Sequence, residues 1–519
     1  MARKTPLPTD RRTGQATMQT PPTYPYDYRR PPRKWRRAPL ALVLVLGLGA
    51  APGQAAEQII QRDGVLGTGF TLTLAGVEES DGQAVGAAVL AEIARLENIL
   101  SIHREDTELA RLNRGDNTGA PSPELLEVLH LCEQWRDKTA NSFSCRLGAL
   151  TNTWREAESR GEVPERATLR KAALAITDAP LAVSARHVEL HGLRIDPDGL
   201  AKGFIVDAAL ARARELAPQA QGIAIDIGGD AVYWGVNEAG QPWRVAFAAP
   251  ERSADNDAYQ GVLALENRAV AFSGHERRYW RIDHRRFSHI IDPEDGWPAT
   301  FAPSAVVVAG DATTADALAT ALTVMPITEG LALIDRLPDV EALVMTDGGS
   351  TFASAGWYPL LAPGSQPPPP WDAGMRFEIE YQIPTLNTAE YRRPYAAIWI
   401  TDENKNLVRQ LAVHGTSLRW LREVPLWWRR HGRRDESAID GLARPTPAPG
   451  QHLLAWDGRD DKGRGVAPGN YVLHLEAARE HGGRELITLP FSLSGQAFDS
   501  EVRGESELGR ISLRLIPGP

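Results

Sequence analysis

Cysteine is nearly absent: the 519 residues contain two, Cys132 and Cys145. Two cysteines exclude a disulfide framework, and their placement does not match a zinc-type spacing. A single bridge between them stays open. A membrane-spanning run is missing as well, because the apolar stretch Ala38–Ala51 is interrupted by Pro39 and falls short of the roughly 20 apolar residues that cross a bilayer. Positive charge is in deficit. The net charge is −9, and the first 55 residues hold ten Lys/Arg against two Asp, so the remainder carries −17. A body of that sign repels nucleic-acid phosphates and anionic lipid surfaces, which makes neither a favoured partner.

The little positive charge that leads the chain is organised. Arg29, Arg30, Arg33, Lys34, Arg36 and Arg37 precede the apolar run, which is the pattern of an export signal over residues 1–56, with cleavage near Ala55 or Ala56 and the periplasm as destination. The paired arginines leave the Sec and twin-arginine routes both open. No cysteine ends the run, so membrane association is expected only through export or a partner.

Residues 57–360 alternate extended and helical patterns. Apolar side chains fall at every second position in Gly69–Leu74, and Val85, Val89, Ile93, Leu96 and Leu100 recur at intervals of three or four, which predicts a strand and then an amphipathic helix. Ser122 is placed to cap a helix over Pro123–Thr139. Further strands are expected at Gly222–Ile227, Ser304–Ala309 and Ala342–Met345, and helices near Gly203–Leu216 and Thr313–Met325. The sum is an α+β domain with a large mixed sheet. Residues 361–372 hold four consecutive prolines, read as a stiff linker, and residues 373–519 alternate in short stretches from Arg376 to Leu493, read as an all-β sandwich. Trp420, Trp427, Trp428, Arg429, Arg430 and Arg433 read either as a partner surface or as a tryptophan-rich core strand with a basic tip.

Four separated stretches carry the chemistry: Val65–Thr68, Asp196–Gly203, His289–Gly296 and Ala315–Thr320. Asp316 and Thr320 lie four apart, on one face of a helix, and could share a cation. By themselves they also suit a helix-dipole aspartate and a back-bonding threonine. The Asp196–Gly203 stretch marks a helix start whose N–H groups near Lys202 and Gly203 could face an anion.

In order and spacing these stretches resemble the FAD:protein FMN transferases, the ApbE family. The C-terminal half resembles immunoglobulin-like bacterial modules and a family of undetermined function found beside flavin transferases. The first resemblance implies FAD as substrate, with Leu66, His103, Ser142, Phe143, Ser144, Asp196 and Lys202 bordering the flavin nucleotide. It implies a magnesium ion (Mg2+) held by Asp316, Thr320 and the Gly199 carbonyl, and His289 as the group that activates an acceptor hydroxyl. It further implies an acceptor flavoprotein carrying a threonine or serine flavinylation site, and release of AMP. The chain departs from the family pattern at three places. His103 stands where an aromatic residue is usual, Pro197 and Asp198 replace Leu and Gly, and Ser144 stands where an aspartate is expected. Three activities therefore stay open: FMN transfer, hydrolysis of FAD to FMN and AMP, and flavin binding or scaffolding without catalysis.

Overall fold

The computed structural model describes residues 57–517 except 117–118, 248–259, 275–278, 300–303, 373, 387–390, 416–417 and 481. The expected export segment, residues 1–56, lies outside the described residues. Among the described residues no helix is long and apolar enough to cross a membrane.

An eight-stranded sheet organises the first half. Its strands are Gln58–Val65, Thr68–Ala75, Gly222–Ile227, Asp230–Gly235, Arg268–Ser273, Ser304–Ala309, Glu341–Met345 and Thr351–Ala353, and their order in space follows their order in the chain. The α+β class holds. The pairings within this sheet are antiparallel throughout, where the sequence reading expected a mixed sheet. Spatial neighbours are also chain neighbours here, and each return reverses the chain direction instead of crossing over.

Among the described residues eight helices accompany the sheet: α1 (Glu79–Leu100), α2 (Glu108–Arg114), α3 (Pro123–Lys138), α4 (Gly148–Arg160), α5 (Arg166–Asp178), α6 (Asp198–Leu216), α7 (Ala312–Leu322) and α8 (Ile327–Ile334). The expected apolar stripe of α1 is buried from Val85 to Leu100. Ser122 caps α3 by accepting from Leu125 N at 3.3 Å. α6 begins five residues earlier than the sequence suggested, which draws Asp198, Gly199 and Lys202 into its first turns. Its start is polar and glycine-containing, so apolar periodicity alone could not reveal it. The main core lies between one sheet face and α1, α6 and α7. Glycine is required where α6 meets α7, because a Cβ on Gly203 would stand 2.3 Å from the Ala312 carbonyl oxygen.

The second half is a sandwich of two sheets that share one core. One sheet runs Gly450–Trp456, Met375–Ile383, Arg510–Pro517, Phe498–Arg503, and the other Ala443–Arg444, Leu407–His414, Tyr395–Asp402, Gly469–Ala478, Arg484–Leu493. Phe377, Ile379 and Leu513 from the first meet Ile398, Leu473 and Phe491 from the second. The proline-rich segment lies against this sandwich, since Gly465 N donates to Pro367 O at 3.0 Å and Trp371 stacks on Phe377 at 5.7 Å. Among the described residues three helices interrupt the strands: α9 (Leu418–Leu421), α10 (Pro425–Arg430) and α11 (Glu436–Leu442). Trp427 is therefore a buried helical residue, not part of a strand, and its indole N–H donates to Gln410 at 2.9 Å. Asp435 accepts from Thr346 Oγ1 at 2.8 Å and Ser350 Oγ at 2.6 Å, and Thr351 N donates to Asp461 O at 2.6 Å, which ties the sandwich to the last sheet strands.

Candidate functional site

The starts of α6 and α7 meet where the chemistry-bearing stretches converge. Asp316 is 6% exposed, and its Oδ2 accepts from Gly203 N at 3.0 Å. Thr320, one turn on, donates to the Gly199 carbonyl at 3.5 Å. A Cβ on Gly199 would lie 2.9 Å from Thr320 Oγ1 and 3.3 Å from the Phe143 ring, so only glycine lets its carbonyl, the hydroxyl and the ring approach. The two helices are held in register by Asp207 of α6, which accepts from Ala312 N at 2.8 Å and from Thr313 N and Oγ1 at 2.9 and 2.6 Å.

Burial pushes the Asp316 carboxyl up to about 8, the charge of Asp230 adds to the rise, and Lys202 and the Gly203 N–H oppose it. Such a group keeps its proton near neutral pH until a cation takes the proton's place. The donors here are a carboxylate, a hydroxyl and a carbonyl, all hard oxygens, and this set fits magnesium. Among the described residues no group of three or more His, Cys, Asp or Glu is arranged to hold a metal. An ion at Asp316 would thus need oxygens from its substrate, which is how magnesium usually binds beside phosphates.

Lys202 pairs with Asp230, which is 2% exposed. Asp230 follows the turn Gly228-Gly229, where φ is 66° and 103°. Gly228 packs on Thr68, just beyond the hairpin tip Leu66-Gly67, whose φ values of 48° and 76° suit a tight two-residue turn. The half-buried Leu66 thereby reaches the site through Thr68, Gly228 and Asp230. The partnership of Asp230 with Lys202 has no local signal in the sequence, since 28 positions separate them. The expected anion contact at the Lys202 and Gly203 amides is not where the helix begins. Its first amides are those of Asp198–Ala201, and the Gly203 amide is turned to Asp316.

Asp196 receives a hydrogen bond from Thr151 Oγ1 at 2.9 Å and one from Asp198 N at 3.3 Å. Some of its surface meets solvent, but protein atoms surround most of it; burial and then the charge of Asp198 push it up to about 6. Its own N–H donates to Cys145 O at 2.7 Å, which aligns it with Ser142, Phe143 and Ser144. That short segment is shaped by Thr139, whose hydroxyl donates to Trp135 O at 2.7 Å and accepts from Phe143 N at 3.0 Å, and it is anchored to α3 by a Cys132–Cys145 disulfide. Ser144 Oγ accepts from Arg146 N at 3.3 Å.

Two of the departures from the family pattern meet each other. His103 Nε2 lies 2.9 Å from Asp198 Oδ2, so the added carboxylate faces an imidazole. The hydrogen bond to Asp198 raises the His103 pKa, against a smaller opposing effect of burial. Asp198→Asn is expected to move the His103 titration, followed by NMR of the imidazole, down toward the ordinary value near 6.5. An unchanged midpoint would break the pairing. His103 is largely exposed at the site's edge.

His289 enters from another direction. It follows the hairpin Tyr279–Ile282/Arg285–Ser288 and is half-buried. That hairpin rests on α4, where Trp154 stacks on Trp280 at 5.6 Å, touches Phe287 at 5.3 Å and donates to Gly296 O at 3.0 Å. The same helix supplies Thr151 to Asp196. One rigid element therefore carries both the Asp196 contact and the hairpin that ends at His289.

Comparisons with known proteins bear on the family and the fold. The ApbE family profile matches residues 66–344, and a family described as "Predicted periplasmic protein (DUF2271)" matches residues 376–510. Proteins named FAD:protein FMN transferase from Vibrio cholerae and Treponema pallidum are 30% and 31% identical over 346 and 350 residues, covering 64% and 62% of this chain and 99% and 94% of theirs. The apo crystal structure of Pseudomonas stutzeri flavinyl transferase ApbE aligns with TM-score 0.51 and 24% identity over 61% of this chain and all of that one. The ApbE protein of Thermotoga maritima aligns with TM-score 0.53 and 24% identity over 59% of this chain and all of its own. At that identity the two structures speak for the fold alone. With its profile spanning more than half of the residues and its relatives covered almost end to end, the chain belongs to the ApbE family.

Proposed function

We propose that the protein transfers FMN from FAD to a threonine or serine hydroxyl of an acceptor flavoprotein, with magnesium and in the periplasm, releasing AMP. The observation that carries this reading is the convergence of Asp316, Thr320 and the Gly199 carbonyl beside Asp196, Lys202 and Phe143, in a chain whose relatives are named for that reaction. In the transfer, the acceptor oxygen attacks the FMN phosphorus, a P–O bond forms, the pyrophosphate P–O bond breaks and AMP leaves. The acceptor proton passes to His289, a base suited to neutral pH. Bound magnesium would supply charge neutralisation at the pyrophosphate. Asp316, Thr320 and Gly199 would hold it. Asp196 and Lys202 orient the nucleotide, and Phe143, held from behind by Thr139, closes the inner wall. The DUF2271 match and the leader-like first 56 residues support the periplasmic assignment.

The deciding experiment incubates the mature protein with FAD, magnesium and a protein domain bearing a flavinylation threonine. A mass gain of one FMN on the domain, with AMP in solution, is expected. FMN and AMP without modified acceptor would mean hydrolysis, and bound FAD without either product would mean a flavin-binding protein. Ser144 gives the last reading its specific support, because a hydroxyl occupies the place of the family's aspartate. Restoring the acid with Ser144→Asp then raises transfer only if its loss had silenced the site. His289→Gln is expected to lower the transfer rate about a hundredfold while leaving FAD binding within about twofold, as removal of a general base does. An unchanged rate would take His289 out of the reaction.

A further inference from the structure

The flavin site leaves unused the segment Arg419–Arg434, which holds six arginines and one acid, Glu423, in a strongly acidic protein. All six arginines are exposed. Elsewhere in the same sandwich, Arg376, Arg464, Arg479, Arg484, Arg510 and Arg514 each contact a carboxylate within 3.0 Å, whereas Arg409, Arg444 and Arg459 donate to backbone carbonyls. Among the described residues, Arg419, Arg422, Arg429, Arg430, Arg433 and Arg434 have no such partner. Arg419 and Arg422 lie over the Trp420 and Trp428 rings at 4.7 and 5.8 Å, and Arg429 Nε donates to Pro425 O at 3.0 Å.

The platform under them is firm. The fully buried Glu476 carboxylate accepts from Leu426 N at 3.1 Å and Trp427 N at 2.8 Å, and Trp427 is wholly enclosed. Arg430 and Arg434 also rim a cavity of about 570 Å³, where Lys405, Lys462 and Arg464 stand beside Asp435, Asp460 and Asp461. The anchored backbone fixes where the side chains start, and guanidinium forks match carboxylates in pairs. The segment lacks the apolar wedge a membrane surface would need, since the exposed large hydrophobic residues, such as Leu453 and Leu486, lie elsewhere.

We propose that the arginine face of 419–434 is a docking surface for an acidic segment of a partner protein. This inference stands on charge and geometry and does not depend on the flavin reaction. The test measures binding of a fluorescein-labelled dodecapeptide alternating Glu and Gly to the full mature chain by anisotropy. Arg429→Glu/Arg430→Glu/Arg433→Glu is compared with Arg170→Glu/Lys171→Glu/Arg186→Glu, an equal charge change at exposed residues of the other half. The first set is expected to weaken binding roughly tenfold or more, as loss of several exposed ion pairs would, and the second less than twofold. A Gln triple at the same arginines guards against misfolding, and it too must weaken binding. Equal losses in both Glu sets would reduce the effect to net charge and overturn the proposal. So would absence of peptide binding, or sedimentation with phosphatidylglycerol vesicles that the peptide does not compete.

Discussion

Asp316→Asn is expected to cut FMN transfer by about a hundredfold to a thousandfold, because a lost cation site removes several kcal/mol of transition-state stabilisation and each 1.36 kcal/mol is a factor of ten. The fold should survive. An asparagine oxygen can still accept from Gly203 N, which the buried carboxylate now does at 3.0 Å. The substitution also has a pH signature in the metal-free protein. Asp316 titrates at about 8 in the folded chain, above its ordinary 3.8. Between those values the folded state binds the extra proton, so this group's contribution to stability falls as pH rises from about 4 through 8. Thermal melts across that window should decline more steeply for the parent than for Asp316→Asn, and magnesium with FAD should flatten the parent's decline. A parent and variant with parallel pH profiles and equal transfer rates would remove Asp316 from the site chemistry.

Lys202→Met is expected to destabilise the protein by about 3–5 kcal/mol, the usual cost of leaving one member of a buried ion pair without its partner. The stranded charge would be Asp230, 2% exposed and fixed by the Gly228-Gly229 turn. Lys202→Met/Asp230→Asn should regain most of that stability, since it removes both charges. Transfer should not return with it, because Lys202 also opposes the upward shift of Asp316 and, in the proposed reaction, orients the nucleotide. Thermal melts and transfer rates of the two variants separate structural from catalytic roles. Equal melting temperatures for the single and double variants would mean that Asp230 is not stranded.

Much of the fold was legible because its signals are local. The α1 stripe, the Ser122 cap and the strand Gly222–Ile227 each rest on residues a few positions apart, and the structure places them with small shifts in boundary. The last two strands of the sandwich were missed although Ile511, Leu513 and Leu515 alternate and are all buried, a signal that was present to be read. The arginine-rich segment was expected either as a surface or as a strand. It is helical where a strand was the second reading, with Leu421, Val424 and Trp427 in the core and the arginines exposed.

The sequence by itself determined the α+β class, the sandwich that follows, the acidic character and the four stretches that make up the candidate site. Local periodicity, turn chemistry and motif order suffice for those. Only the tertiary structure decided how the stretches combine: that Asp198 turns to His103, that Lys202 holds Asp230, that Asp316 accepts from Gly203, and that Cys132 bridges to Cys145. The partners of the first three pairs stand 95, 28 and 113 positions apart. Their meeting depends on the order of strands in the sheet and on how closely glycine lets α6 approach α7. Neither is written in the neighbourhood of any one residue.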